Sequence, residues 1–323
     1  MILIFSSSCD ATADYMVSKL KQDEIRYFRL DTDHLIDNAT LLYKNGDFLL
    51  DICDQTLRPQ EIEAVWYRRP RTLTSERGKF FEKGVRDHTI SEWSAAIEGF
   101  LAHVPVEFWI NHPSNNALAM LKLEQLSRAR KIGLNVPKTL LTQCFQEAMV
   151  FWKDCGGSLV VKPISHGYIE RHDPDSDTLI FTNEVMLNQL VENQDFLSLC
   201  PTLFQIKVEK AFDVRINVID SKVISVGIHA SKEDELQAVD IRRNNMKNVR
   251  YEPIELPKSV KEKILKLCRS YKLRFASVDM ALTKDSNWIF FEINPNGQWA
   301  WLDLEGVTDI ASSLINSMRV KPN

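Results

Sequence analysis

Glycine is scarce in this chain, 11 of 323 residues, against an ordinary level of about 7%. Neither a G-x-x-x-x-G-K-[ST] run nor a G-x-G-x-x-G occurs, so any phosphate site is built by other means than those glycine-rich loops. No G-x-S-x-G elbow is present, and nothing marks a nucleophilic serine or cysteine. The six cysteines, Cys9, Cys53, Cys144, Cys155, Cys200 and Cys268, form no C-x-x-C pair, and the seven histidines do not cluster with them at zinc spacing. Reduced thiols used as small hydrophobes are the expectation. No run of about 18 apolar residues exists. Met1-Ile-Leu-Ile-Phe5 is too short for a signal peptide and lacks its basic flank. These absences lead us to expect a cytoplasmic chain. Neither sign of charge prevails: Lys+Arg number 40 and Asp+Glu 44, a formal net charge of −4. Such a balance gives no footprint for nucleic acid or for an acidic membrane surface.

What is present is ordinary for a globular protein, 44% hydrophobic and 26% charged, and long enough for two to three domains. Ile2–Phe5, a helical stretch over Ala11–Lys21 and Arg26–Leu30 read as a βαβ unit. Leu41–Tyr43 and Phe48–Ile52 form a hairpin through Asn45-Gly46, and Ala64–Tyr67 is a strand ended by Pro70. Trp93, Ile97, Phe100 and Leu101 mark an amphipathic helix within Phe80–His103. Helices are expected over Ala117–Lys131, closed by Gly133, over Glu147–Asp154 and over Glu184–Asn193. Ser165–Asp177 reads as a polar loop. The remainder is strand-rich: Leu203–Val208, Val214–Ile219, Val223–His229, Val249–Ile254, Phe275–Leu282 and Trp288–Ile293. Helices around Val260–Cys268 and Asp309–Met318 complete it. The fold class is therefore α/β followed by α+β.

Two strands carry the most informative chemistry. Phe275-Ala-Ser-Val-Asp279 and Phe290-Phe-Glu292-Ile-Asn294 each place an acid in an otherwise apolar run, and a buried carboxylate needs a cationic partner. Glu292 and Asn294 point the same way by strand alternation. Two carboxylates and an amide oxygen are hard ligands suited to Mg²⁺, and structural pairing with a buried Arg or Lys is the alternative. Lys162, leaving Leu159-Val-Val, can reach a phosphate or snorkel at the surface. Lys122 by itself reads as a solvated helix face. Asp213 and Arg215 share one strand face, either as a phosphate-binding arginine with its neighbour or as an exposed pair. Arg242 and Arg243 lie in a loop, and Arg68-Arg69-Pro70-Arg71 is an anion site or a solvated edge.

Together these pieces resemble an ATP-grasp ligase through about residues 111–320. Asp279, Glu292 and Asn294 resemble the family's magnesium set. Lys122, ahead of Gln125, Gly133 and Val136-Pro137, and Lys162 in Val161-Lys162-Pro163 resemble its nucleotide-contacting lysines. Phe204-Gln205-Ile206-Lys207-Val208 resembles the interlobe hinge, whose backbone receives adenine, and Asp213 is placed with the same nucleotide contacts. The opening strand, Arg29-Leu-Asp31-Thr-Asp33, Trp66-Tyr67-Arg68-Arg69-Pro70, Asn111-His112-Pro113 and Asn294-Pro295-Asn-Gly297-Gln298-Trp299 extend the likeness to the peptide maturases of the microviridin (graspetide) type.

That resemblance implies an ATP-grasp fold with an N-terminal βαβ pre-ATP-grasp domain over 1–113, a central lobe over 114–202 and a C-terminal lobe with the Mg²⁺ site over 203–323. It implies ATP and Mg²⁺ as cofactors and, as partner, a ribosomal precursor peptide whose leader docks on the central domain. An Asp or Glu side chain of the peptide would be activated as an acyl phosphate and closed into an ω-ester or ω-amide ring. Lys162 and Arg215 would stabilise the transferred phosphoryl group, and Arg242, with Arg243, would hold the acceptor carboxylate. Members of the family often form homodimers. Two departures stand out: the hinge has Ile206 where an acid is usual, and the phosphate loop offers only His166-Gly167. A ligase adding free amino acids, and a non-catalytic nucleotide- or peptide-binding scaffold, are the competing readings.

Overall fold

The computed structural model describes residues 1–104, 109–165, 167–169, 178–231 and 234–319. The first strand, β1 (Ile2–Ser6), is buried along its whole length, as befits a central strand of a parallel sheet covered on both faces. Asp10 caps α1 (Ala11–Gln22), accepting from the N–H groups of Thr12 and Ala13, and the chain returns as β2 (Tyr27–Asp31) parallel to β1. After α2 (Leu35–Asn38), the strands β3 (Ala39–Lys44), β4 (Asp47–Ile52) and β5 (Gln55–Leu57) form an antiparallel sheet. Its first turn has both Asn45 and Gly46 at positive φ, as the hairpin dipeptide requires. Then β6 (Ala64–Tyr67) pairs on the other side of β1, α3 (Lys83–Ala102) covers one face, and β7 (Trp109–Ile110) completes the order β2-β1-β6-β7. Alternation along β1 divides two cores. Leu3 and Phe5 face the hairpin and α3, whereas Ile2 and Ile4 pack with Trp66, Trp299 and the C-terminal helix. The first and last parts of the chain thus share a core.

The stretch expected as one helix over Ala117–Lys131 is two, α4 (Pro113–Ala119) and α5 (Lys122–Ile132). Leu121 adopts an extended conformation between them, so Lys122 opens a new helix instead of lying mid-face. Gly133 ends α5 at φ 93°, which a glycine tolerates without the Cβ clash of other residues. The second sheet contains β8 (Thr139–Thr142), β9 (Leu159–Lys162), β12 (Asn183–Val185) and β13 (Thr202–Ile206), with α6 (Phe145–Asp154), α7 (Leu187–Glu192) and α8 (Gln194–Leu199) around it. A small hairpin, β10 (Tyr168–Ile169) with β11 (Thr178–Leu179), lies apart. Glu184, expected in a helix, is in β12 opposite Val160; pairing with β9 overrides its helical propensity. Because Thr202–Ile206 pairs with β8 and β9, the chain leaves this sheet after Ile206, a few residues beyond the 202/203 division read from the sequence. Of the expected loop Ser165–Asp177, His166 and Glu170–Asp177 lie outside the described residues.

The third sheet has the order β16-β15-β14-β17-β18, from β14 (Lys210–Ile219), β15 (Lys222–His229), β16 (Arg250–Pro253), β17 (Phe275–Thr283) and β18 (Trp288–Asn294). α9 (Glu235–Val239) precedes β16, α10 (Lys258–Ser270) packs with α5 on the apolar face, and α11 (Ala300–Leu304) and α12 (Ile310–Arg319) end the chain. All six cysteines are unpaired. Only Cys155 and Cys268 are buried, so the small-hydrophobe reading fits those two and not the four exposed ones. No helix among the described residues is long and apolar enough to cross a membrane.

Strand β18 lies at a sheet edge, where unpaired backbone groups need other partners. Buried Gln125 supplies them: its amide donates to the carbonyls of Ile293 (2.9 Å) and Ala119 (2.6 Å) and accepts from the N–H of Ile293 (3.0 Å). Gln125→Leu, which keeps the bulk and strands these groups, is expected to cost about 2–4 kcal/mol. The check is a urea denaturation with a lowered midpoint and unchanged slope; an unmoved midpoint would show that the amide is dispensable.

Candidate functional site

Three antiparallel strands, β14, β17 and β18, place the candidate groups. Arg215 lies opposite Asp279, and Asp279 opposite Glu292. One step along, Asn217, Ser277 and Asn294 are aligned in the same way. Directly opposed residues share a face, so the strands present two polar rows. The reverse face carries Val214, Ile216, Val278, Met280, Phe290 and Ile293 into the core. A β-bulge between Asp279 and Met280 leaves Phe291 as the extra residue of β18. The bulge lets Phe290 stay in the core while Glu292 remains opposite Asp279, since a simple one-residue slip would reverse every side chain.

Arg215 Nε lies 2.9 Å from Asp279 Oδ1, the cationic partner that the sequence demanded. Asp213 does not pair with Arg215. Lys210 Nζ donates to both Asp213 carboxylate oxygens at 2.9 and 2.8 Å. Burial nevertheless pushes the Asp213 carboxyl up, against the pull of Lys210. Asp279 is pushed up to about 6, by burial first, with Arg215 opposing and the neighbouring Glu292 adding to it. The Asn294 amide oxygen accepts from the N–H of Asn296 at 2.9 Å and keeps a second lone pair.

Two lysines approach this face from outside its sheet. Lys162, at the end of β9, lies 4.4 Å from the ring centroid of Phe291, the bulged residue. Lys122, in the first turn of α5, donates to the carbonyls of Pro163 (2.5 Å) and Ser165 (3.3 Å). Burial draws both ammonium groups below their ordinary range, and Glu292 is the leading charge opposing that shift in each. Neither is the solvated lysine of the plainer sequence reading. Arg242 makes a bidentate pair with Asp240 at 2.9 and 2.6 Å. Burial favours the protonated Asp240, but this pair and the N–H of Thr182 hold its carboxyl well below the usual range. Arg243 stacks over Phe181 at 4.5 Å.

In the hinge, Gln205 is buried and its amide donates to Thr139 Oγ1 at 3.1 Å. The N–H groups of Ile206 and Lys207 are committed to Lys138 O and Ser158 O, both at 3.0 Å, and the Lys207 ammonium pairs with Glu184 at 2.5 Å. Those two N–H groups hold strands together; Val208 is the next hinge residue along. The basic run 68–71 is neither a solvated edge nor an open anion site at its first member. Arg68 is 1% exposed and lies 3.3 Å from Asp10, while Arg69 and Arg71 are exposed.

Sequence reasoning missed Lys210, Asp240, Phe291 and Gln125 as parts of this arrangement. Gln125 carried a signal, a polar residue on the buried side of a helix beside Leu126 and Ala129. Among the described residues, no cluster of three or more His, Cys, Asp or Glu could hold a metal ion. The candidate set offers two carboxylates and one amide oxygen, all hard donors. Asp279 and Glu292 stand directly opposite each other, with Asn294 on the same strand as Glu292, so the residues fit a small divalent ion.

Two family profiles match the chain, an MvdD pre-ATP-grasp domain over residues 1–117 and a RimK-like ATP-grasp domain over residues 125–318. Among solved structures, the chain is similar to the macrocyclase MdnC from Microcystis aeruginosa MRC bound with the precursor peptide MdnA. The identity is 27% and the TM-score 0.85, covering 98% of this chain and 100% of that one. It is also similar to a RiPP-associated ATP-grasp ligase from Chryseobacterium gregarium in complex with ADP, a leader and a core peptide. Here the identity is 26% and the TM-score 0.87, covering 100% of this chain and 97% of that one. D-alanine–D-alanine ligase from Bacillus anthracis, complexed with ATP, shares the fold at 15% identity and TM-score 0.56, covering 98% and 94%. No curated protein matches the chain.

The raised Asp279 carboxyl, buried beside Glu292, has a pH signature. Between the ordinary aspartate value of 3.8 and about 6, the folded chain holds more protons at this site than the unfolded chain. Its stability therefore falls as pH rises through that window. In the absence of divalent ions, Asp279→Asn should gain stability over the wild type across that interval, measured by urea denaturation at a series of pH values. Parallel stability curves would contradict the raised carboxyl.

Proposed function

The chain belongs to the RimK-like ATP-grasp family, and from that premise we propose that it is an ATP-dependent ligase that activates side-chain carboxylates of a ribosomal precursor peptide and closes them into macrocycles. The observation that carries the reading is the approach of Lys162, at the end of a strand of the second sheet, and Lys122, at the start of α5, to the Arg215–Asp279–Glu292 row of the third. A nucleotide lying between the sheets would have its phosphates among these groups.

Each residue then has a role set by its chemistry. The backbone around Gln205, Ile206, Lys207 and Val208 would receive adenine, with the Val208 N–H as donor. Lys122 ties the segment after β9 to α5 and, with Lys162, presents positive charge to the phosphates as point charges. Asp213, held by Lys210, would complete the nucleotide pocket. Mg²⁺ held by Asp279, Glu292 and Asn294 would neutralise phosphate charge. Arg215 and Lys162 would stabilise the charge on the transferred phosphoryl group. A carboxylate is a poor electrophile because oxide is a poor leaving group, and the acyl phosphate supplies a good one. Arg242, preorganised by its bidentate pair with Asp240 and with its side chain 54% exposed, would hold the peptide carboxylate in line, with Arg243 beside it. A hydroxyl or amine of the same peptide then displaces phosphate, which proximity favours; no protein nucleophile is needed.

The MdnC and Chryseobacterium structures, which contain precursor or leader and core peptides, support a peptide substrate. The central lobe also exposes Met186, Leu187, Val191, Phe196 and Leu199 on α7, α8 and the residue preceding them. Apolar groups open to solvent in this number suit a docked leader.

The test is the intact mass of a precursor peptide incubated with the protein, ATP and Mg²⁺. One water should be lost per bond formed, and Glu292→Gln should reduce the rate by about 100-fold or more. A gain of amino-acid masses when free amino acids are supplied would instead identify an adding ligase. An unchanged rate in Glu292→Gln would remove the acidic row from the mechanism.

A further inference from the structure

The turn that follows Asn294 is held almost entirely from outside its own sheet. Within the turn, Asn294 uses both of its oxygens: the amide oxygen accepts from Asn296 N–H at 2.9 Å and the backbone oxygen from Gly297 N–H at 3.2 Å. The turn's own carbonyls accept from residues of the N-terminal region. Arg68 Nη1 donates to Gly297 O at 3.1 Å and to Asn296 O. Asn111 Nδ2 donates to Pro295 O at 3.2 Å, and Asn116 Nδ2 to Asn296 Oδ1 at 3.3 Å. Gly297 leaves no room for a side chain, since a Cβ there would overlap Ser277 and lie 3.5 Å from Arg215 Nη1. The turn therefore bears on the polar rows themselves.

A domain joint has no need of such a device. Arg68 is 1% exposed, with one carboxylate at 3.3 Å and no hydrogen-bond partner for its Nη2. Burying a guanidinium on these terms costs several kcal/mol, and an apolar side chain of similar size would join two domains at least as well. What arginine supplies and an apolar residue cannot is a cationic donor nitrogen, Nη1, shared between two consecutive carbonyls. One carboxylate oxygen of Asp10 lies 3.3 Å from the guanidinium Nε while the other caps α1, which sets the guanidinium against the N-terminal sheet.

We propose that Arg68 is a positioning residue. Reaching across from the N-terminal domain with Asn111 and Asn116, it fixes the 295–297 turn and thereby the orientation of the Asn294 amide oxygen, so that divalent-ion binding on the third sheet depends on the first domain. The inference rests on the ligand role given above to Asn294. It assigns Arg68 no contact with substrate.

Thermal denaturation of the full chain with ADP, titrated with Mg²⁺, tests it. Wild type should gain stability on adding Mg²⁺ beyond that given by ADP alone. Arg68→Met should keep the gain from ADP and need about tenfold more Mg²⁺ for the further increment, the scale on which residues behind a metal ligand act. Its midpoint without ligands should fall, because Asp10 is left buried without its cation and two carbonyls lose their donor, so the Mg²⁺ requirement is the readout. Asn116→Ala, a milder change, should move the Mg²⁺ requirement in the same direction and serves if Arg68→Met does not fold. A purely structural joint gives a lowered midpoint with the wild-type Mg²⁺ requirement, and overturns the proposal while leaving the ligase reading intact. Absence of any Mg²⁺ increment in the wild type removes both.

Discussion

The structure turns on a cross-strand row of charge, Arg215 opposite Asp279 opposite Glu292. Two carboxylates at neighbouring positions of one sheet face repel each other, and the row is tolerable only because cations approach it from several sides. Arg215 does so within the sheet, Lys162 from the sheet opposite and Lys122 from the start of α5. The reverse face of the same strands is uniformly apolar and packs under α5 and α10. Its pleat therefore cannot slip by one residue without burying the acids. The bulge at Phe291 keeps this pattern in phase to the end of β18 and sets an aromatic face beneath Lys162.

Each part of the chain contributes something the others lack. The third sheet supplies two acids and an amide; the second supplies a lysine at the end of a strand, and α5 another in its first turn; the first supplies buried polar arms. Gln125 fastens α5 to the third by imitating a neighbouring strand along the edge of β18. Arg68 and Asn111 join the first and third through the turn after Asn294. The candidate face is thus assembled from segments more than 200 residues apart in the chain, with backbone carbonyls as the points of attachment.

Much of this was legible in the sequence because it is local. Alternation around Asp279 and Glu292 marked two acids in apolar strands, and Asn45-Gly46 and Gly133 marked a hairpin and a helix end through their backbone preferences. What was illegible is set by tertiary pairing. Nothing local distinguishes Leu121, where one expected helix becomes two, or Glu184, which joins a strand because β9 offers an edge. Strand register, and with it the choice of Lys210 for Asp213 and of Asp279 for Arg215, exists only once the sheet forms. Arg68 reads as a surface charge because burial of an arginine is rare, and only the fold reveals the carbonyls that hold it there.

The most direct test is the location of a bound ion. Crystals grown with ADP and Mn²⁺ in place of Mg²⁺ give an anomalous signal that marks the metal alone. A peak is expected between the Asp279 and Glu292 carboxylates and the Asn294 amide oxygen, with phosphate oxygens completing the shell and Lys162 alongside. A nucleotide seated in the cleft with its metal elsewhere, or bound with no metal on that row, would contradict it.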